Sequence, residues 1–318
     1  MSSFEIEEGT SLTSPHICVK CLDRKWQNFP KSILPTNYAE RLESYKHFSV
    51  RSDDIFILGF QRSGTTMLQE LVWIIANDFD FETLMAYDAE ARVVFFEVPE
   101  FSLKYRERTL ANSLEEMTSP RLMKSHLPVQ LLPDEIWTKK PKLLFINRDP
   151  KDVAISHYHL LNSFSPTSFT LKDYLEDFLS DAVMYSPYRE YIQNYLNLPD
   201  YENILHLTYE EMAADLDKVI QKVGKFLGKI VSDENAEKIK NYLKFENMKS
   251  RKTNDNKFAH KMWMQSIDPN SNKDINFIRK GVVGGYKDEL PEGYADKIDK
   301  WYADSSNLNQ GYNFKNES

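Results

Sequence analysis

From about residue 50 onward, short apolar runs alternate with longer stretches in which apolar residues recur every three or four positions. The runs at Asp54–Leu58, Arg121–Lys124, Lys142–Asn147 and Asn203–Thr208 predict strands. The third, Lys-Leu-Leu-Phe-Ile-Asn, is nearly all apolar, as suits a strand covered on both faces. The longer period predicts helices over Thr65–Asn77, Pro150–Leu161, Leu171–Ser180, Pro187–Leu196, Asp215–Leu227 and Asn235–Leu243. Pro150 suits a first helical position, where a missing N–H is no loss. The alternation predicts an α/β fold, with a central, mainly parallel sheet flanked by helices. Residues 1–50, interrupted by Pro15, Pro30 and Pro35, read as an irregular segment, and the polar, Asn- and Lys-rich stretch 250–276 as a loop or lid. No internal repeat or glycine-serine linker divides residues 1–318, so a single domain is the simpler reading.

Composition narrows the function. An apolar content of 41% supports a sizeable core, and a net charge of −8 argues against a nucleic-acid or anionic-membrane partner. No apolar run approaches the ~20 residues of a membrane helix. The acidic start, Met-Ser-Ser-Phe-Glu-Ile-Glu-Glu, lacks the basic and apolar regions of a signal peptide, so a cytoplasmic location is expected. Cys18 and Cys21 form a C-x-x-C preceded by His16, but no other cysteine exists to complete a zinc site. Two free thiols are the default, and no metal is expected.

The stretch carrying most chemistry is Gly-Phe-Gln-Arg-Ser-Gly-Thr-Thr at residues 59–66, between a predicted strand and a predicted helix. A strand entering a glycine-containing turn that opens a helix aims backbone N–H groups and the positive helix end at one point, which makes an anion cradle. Its spacing is nearly that of a nucleotide P-loop, but Thr65 stands where the lysine that bridges a triphosphate should be. Arg62 is the only cation inside the loop. Such a P-loop-like loop points to a nucleotide whose reacting group is not a γ-phosphate.

Other segments extend the pattern. Met123-Lys124-Ser125-His126-Leu127-Pro128 ends one predicted strand, where open α/β sheets place ligands. Arg148-Asp149-Pro150-Lys151-Asp152, with Ser156 two turns on, runs from a strand into a helix, and Tyr209-Glu210 follows the next strand. Arg279-Lys280-Gly281-Val282-Val283-Gly284 places two cations beside glycines. Singly, each has a bland explanation; together and in this order they resemble the cytosolic sulfotransferase family, from about residue 50 to 290, with an invertebrate, insect-like member suggested.

The resemblance implies a sulfuryl donor, 3′-phosphoadenosine 5′-phosphosulfate (PAPS), used as a co-substrate and leaving as the bisphosphate PAP. It implies a small apolar acceptor bearing a hydroxyl. By the family's motifs, Arg62, Ser63, Gly64, Thr65, Thr66 and Met67 form the 5′-phosphosulfate loop, while Lys124 and His126 belong to the catalytic segment. Arg148, Ser156 and Arg279 serve the 3′-phosphate, with Lys280, Gly281, Tyr209, Phe245 and Met248 completing the nucleotide site. Phe95 and Leu160 line the acceptor pocket beside His126. A hydroxyl is a poor nucleophile near neutral pH, so a base with a pKa near 7 is expected, and His126 is the natural choice. Arg62, Lys124 and the amides of residues 63–66 would stabilise the leaving 5′-phosphate.

Three departures from the family's pattern stand out. Arg62 replaces a lysine, Met67 a tryptophan that stacks on adenine, and Asp149 an asparagine, which adds a carboxylate near a phosphate site. Residues 262–277 lack the family's dimerisation signature, so the oligomeric state is open. An aromatic and aliphatic pocket favours a phenol, sterol or isoprenoid alcohol. Two alternatives are a retinol-dehydratase-like enzyme acting through a sulfated intermediate and a catalytically impaired PAP- or ligand-binding protein. A P-loop kinase is more distant, because Thr65 replaces its lysine.

Overall fold

The structure is a computed structural model describing residues 2–10, 15–26, 28–97, 114–164, 168–198, 202–250 and 278–304. The stretch 250–276 read as a lid, and the segment searched for a dimer signature, lie outside the described residues, Ser250 and the boundary apart.

Five parallel strands make the central sheet: β4 (Ile55–Leu58), β5 (Val94–Phe95), β6 (Leu122–Ser125), β7 (Lys142–Asn147) and β8 (Ile204–Thr208), in the order β5-β6-β4-β7-β8. The period of two along each strand divides the core. Phe56, Leu58, Met123, Leu143 and Phe145 enter one apolar cluster, and Ile55, Ile57, Leu122, Leu144 and Ile146 enter another across the sheet. Both faces are covered by helices, which explains why β4 and β7 read as unbroken apolar runs. The helix Thr65–Ala76 packs Leu68, Leu71, Val72 and Ile75 into the second cluster.

β4 is hydrogen-bonded on one side to β6 and on the other to β7, with Leu58 opposite Ser125 and Phe145. The chain leaves β4 toward β5 at one edge and leaves β7 toward β8 at the other, so the strand order reverses between β4 and β7. Ligands bind at such a switch point, outside the carboxyl ends of the strands. The loop 59–64, Lys124–His126, Arg148 and Tyr209 all lie at or just beyond those ends.

The expected irregularity of residues 1–50 is corrected. β1 (Phe4–Thr10), β2 (Pro15–Cys21) and β3 (Ser32–Pro35) form an antiparallel sheet. Two of the three prolines taken as breakers, Pro15 and Pro35, open β2 and close β3, where no ladder donor is lost. Ile17, Val19 and Cys21 are buried in the same cluster as Phe56. Cys18 and Cys21, three residues apart on one strand, fall on opposite faces, and both thiols are free. A Cβ at Gly9 would lie 2.5 Å from His16 Nε2, so packing over Gly9 accounts for His16.

Candidate active site

The loop after β4 folds as its composition dictates. Gly64 has φ 100° and a Cβ there would come within 2.6 Å of the Tyr209 ring, so only glycine fits. It precedes the helix Thr65–Ala76, whose first turn receives no side-chain cap. Those amides and the positive helix end remain for an anion. Arg62 also has positive φ, 70°, and its Nε donates to Ser156 Oγ at 2.9 Å. Burial, reinforced by the positive charges of Arg148 and Arg279, pushes the Arg62 guanidinium down to about 10. The cations are therefore close enough to repel one another, an arrangement that an anionic ligand relieves.

A cavity of about 470 Å³ opens at this place. Its walls include Arg62, Gly64, Thr65, Thr66, Met67, Lys124, His126, Arg148, Ser156, Tyr209, Phe245, Met248, Arg279, Lys280 and Gly281, and also Phe95 and Leu160. Every sequence-predicted site residue but one therefore meets in a single space. The exception, Ser63, is fully buried beneath the loop, and its Oγ has no hydrogen-bond partner among the described residues. Arg148 Nε and Arg279 Nε are likewise buried and unpartnered among them. Orphaned donors on two arginines of one cavity fit a ligand rich in anionic oxygens.

The segment 279–284 is fastened from several sides. Arg148 Nη2 donates to Val282 O at 2.7 Å, and Tyr209 Oη to Gly281 O at 2.9 Å. Asp152 accepts from the amides of Gly284 and Tyr286 at 2.8 and 3.0 Å and pairs with Arg148 at 3.3 Å. The Arg148 guanidinium lies 4.3 Å from the centre of the Tyr209 ring. Asp149 turns away from these contacts. Its carboxylate accepts from Lys151 N at 2.8 Å at the start of the helix Pro150–Phe164 and does not line the cavity. The extra carboxylate expected near a phosphate site is thus used to cap a helix.

His126 lies at the other end of this cluster. Its Nδ1 is 2.6 Å from Gly59 O. A carbonyl can only accept, so Nδ1 carries the proton and Nε2 the lone pair. The ring meets Phe95 and Tyr185 edge-on at 5.6 and 5.9 Å, and Lys124 Nζ sits 5.3 Å from the Phe95 ring. Burial first, then the charges of Lys124 and Arg62, push the imidazole down to about 3, against the hydrogen bond to Gly59. The imidazole therefore lies below the pKa near 7 expected of the base, because the ring is buried and faces cations.

Sequence reasoning missed several residues here. Tyr38, Gln61, Met184 and Tyr185 also line the cavity, and Tyr38 and Tyr185 share a hydrogen bond at 2.8 Å. Glu97 is fully buried, and its Oε1 accepts from His126 N at 2.5 Å. Burial pushes its carboxyl up to about 8, against the hydrogen bond from His126. No periodic signal marks Tyr38 or Tyr185, which reach the site from the short 3-10 helix Thr36–Arg41 after β3 and from a turn. Only Gln61, inside the phosphate loop, was positioned to be noticed.

The family model for the sulfotransferase domain matches residues 52–311. This chain belongs to the sulfotransferase family. It is 32% identical over 276 residues to luciferin sulfotransferase of Photinus pyralis, covering 82% of this chain and 74% of that protein. It is 32% identical over 258 residues to sulfotransferase 1E1 of Bos taurus, covering 80% and 83%. Among solved structures it resembles a retinol dehydratase in complex with androsterone and inactive cofactor PAP, at TM-score 0.76 and 25% identity over 93% of this chain and 90% of that one. Mouse sulfotransferase SULT7A1 complexed with PAP matches at TM-score 0.64 and 27% identity over 85% and 90%. The protein is thus a cytosolic-type sulfotransferase, PAPS-dependent and acting on a small apolar acceptor that bears a hydroxyl. No helix among the described residues is long and apolar enough to cross a membrane.

Proposed function

We propose that this sulfotransferase moves the sulfuryl group of PAPS to a phenol, sterol or isoprenoid alcohol in the cytosol, with His126 as general base and without a metal ion. The acceptor O–H gives its proton to His126 Nε2 as its oxygen bonds to sulfur and the bridging S–O bond to the 5′-phosphate breaks. Lys124, Arg62 and the amides of residues 63–66 face the charge that builds on the leaving phosphate. Arg148, Ser156, Arg279 and Lys280 hold the 3′-phosphate, and Met67, Phe245 and Met248 the adenine. Phe95, Leu160, Met184 and Tyr185 give the acceptor an apolar wall.

The observation that carries the reading is the His126 Nδ1–H bond to Gly59 O, which fixes the tautomer that leaves Nε2 basic. His126→Ala should keep PAP binding and lose ~10²–10⁴ in turnover, the usual worth of a positioned base. In the ligand-free protein the ring is neutral above about 3, so kcat/KM should show no His126-dependent fall between pH 7 and 5. A His126→Ala variant with near-normal turnover would sink the assignment; a His126-dependent inflection near pH 6.5 would keep the base and show that its imidazole is less depressed than its burial implies.

The retinol dehydratase among the similar structures favours one further reading, elimination from an allylic alcohol after sulfation. Incubation with PAPS and an allylic alcohol separates the two by product, sulfate ester or alkene plus free sulfate. An insect-like affiliation gains support from the Photinus pyralis relative, but the Bos taurus relative is equally identical, so family level is the better description.

A further inference from the structure

Two cations assigned to the donor's 3′-phosphate are already in contact with a carboxylate of this chain. Glu289 Oε1 accepts from Arg279 Nη1 at 2.6 Å and from Lys280 Nζ at 2.8 Å. Its Oε2 meets His159 Nε2 at 2.5 Å. Burial alone would raise the Glu289 carboxyl, but the hydrogen bonds from Lys280, Arg279 and His159 hold it at about 2, so it is a carboxylate at any working pH. The backbone makes the approach inevitable. The turn Gly285–Asp288 brings Glu289 back over Arg279 and Lys280, and Asp152 fastens that turn through Gly284 N and Tyr286 N. Arg279 lines the cavity, and its Nε is buried and without a partner among the described residues.

A carboxylate on a guanidinium and an ammonium is chemically what a phosphate oxygen offers to the same groups. We propose that Glu289 is an internal counter-anion for the nucleotide's 3′-phosphate, holding Arg279 and Lys280 in the ligand-free protein and competing with PAP for them. The proposal rests on the donor-site reading above. When the 3′-phosphate arrives, Glu289 yields those contacts and keeps His159, which sits on the same helix as Asp152 and Ser156. The competition lowers affinity for every nucleotide with a 3′-phosphate, the spent product PAP included. Glu289 thereby favours product release at the expense of donor affinity. It acts through Arg279 and Lys280 and is a positioning residue.

The test is calorimetric binding of PAP and of adenosine 5′-monophosphate, which lacks the 3′-phosphate, to the parent and to Glu289→Gln and Glu289→Ala, with ligand-free melting to verify that each variant is folded. Loss of one competing, partly exposed ion pair is worth up to about a fivefold change in affinity. PAP should bind up to about fivefold tighter to both variants and dissociate more slowly, while adenosine 5′-monophosphate is unchanged. A merely structural glutamate gives the opposite sign, since loosening the turn weakens binding. Unchanged or weaker PAP binding in the variants overturns the proposal, as does an equal shift for both ligands. A parent protein that fails to bind PAP at all overturns the donor-site reading itself, and the counter-anion with it.

Discussion

At the scale of single residues, Arg62 is one of three departures from the resembled pattern, and its surroundings explain how the change is tolerated. Its Nε reaches Ser156 Oγ, so the loop and the helix Pro150–Phe164 are joined by the same side chain that faces the cavity. Even pushed down to about 10, the guanidinium is charged at neutral pH. Charge near the leaving oxygen should therefore count for more than shape. Arg62→Lys should stay active, since a lysine keeps the charge as a compact donor. Arg62→Met should slow transfer ~10²–10³-fold, as loss of one transition-state donor does elsewhere. Single-turnover rates at saturating PAPS decide it; if Arg62→Met transfers sulfate as fast as the parent, Arg62 only secures the loop. The sequence identified the charge. It could not identify the tie to Ser156, because that contact joins residues 94 positions apart.

At the scale of elements, what was legible is what local physics determines. β7 falls where its apolar run predicts, and the helix from Thr65 ends at Ala76, one residue short of the expected limit. The N-terminal sheet was hidden because prolines at strand ends look like breakers until the pairing is known. The helix Tyr209–Ala214 was missed too, although Thr208 and Glu211 form a capping box, because six residues are too few for a helical period to show. The cradle segment 279–284 makes the same point about tertiary contact. Gly281 has φ 64°, and a Cβ there would lie 2.4 Å from the Phe245 ring. The ring belongs to the adenine side of the proposed site, so this glycine joins the phosphate segment to it. Gly281→Ala combines a strained φ with that clash and should weaken PAP binding ~10-fold or more, at a stability cost of ~1 kcal/mol or above. Calorimetry and chemical denaturation check the two parts. An alanine variant that binds PAP like the parent would mean that the segment does not need this close approach.

At the scale of the whole molecule, the site's buried titratable groups bear on folding as well as on catalysis. His126 and His157 are both pushed down to about 3, burial being the largest cause. Unfolded, each takes up a proton near 6.5, so their contribution to stability is lost as pH falls below that value. Glu97 works in the opposite sense. Its folded carboxyl is held up to about 8 against 4.5 in the exposed chain. Between those values the unfolded state releases a proton that the folded state keeps, so stability falls as pH rises, by at most about 1.4 kcal/mol per pH unit. Above pH 8 the whole penalty is present. The cause is the place Glu97 occupies, under His126 and near Tyr38, Tyr185, Tyr191 and Tyr195, whose hydroxyls are all raised by burial and further by its charge. Glu97→Gln keeps an acceptor for His126 N and removes the ionisation. Its melting temperature relative to the parent should therefore climb between about pH 5 and pH 8, the interval set by Glu97, while the acid fall caused by the histidines is common to both proteins. Parallel profiles on the alkaline side would mean that Glu97 is already ionised in the folded protein. His126 would then be held by a carboxylate, its imidazole would be more basic than about 3, and the flat low-pH profile expected of the free enzyme would give way to a falling one.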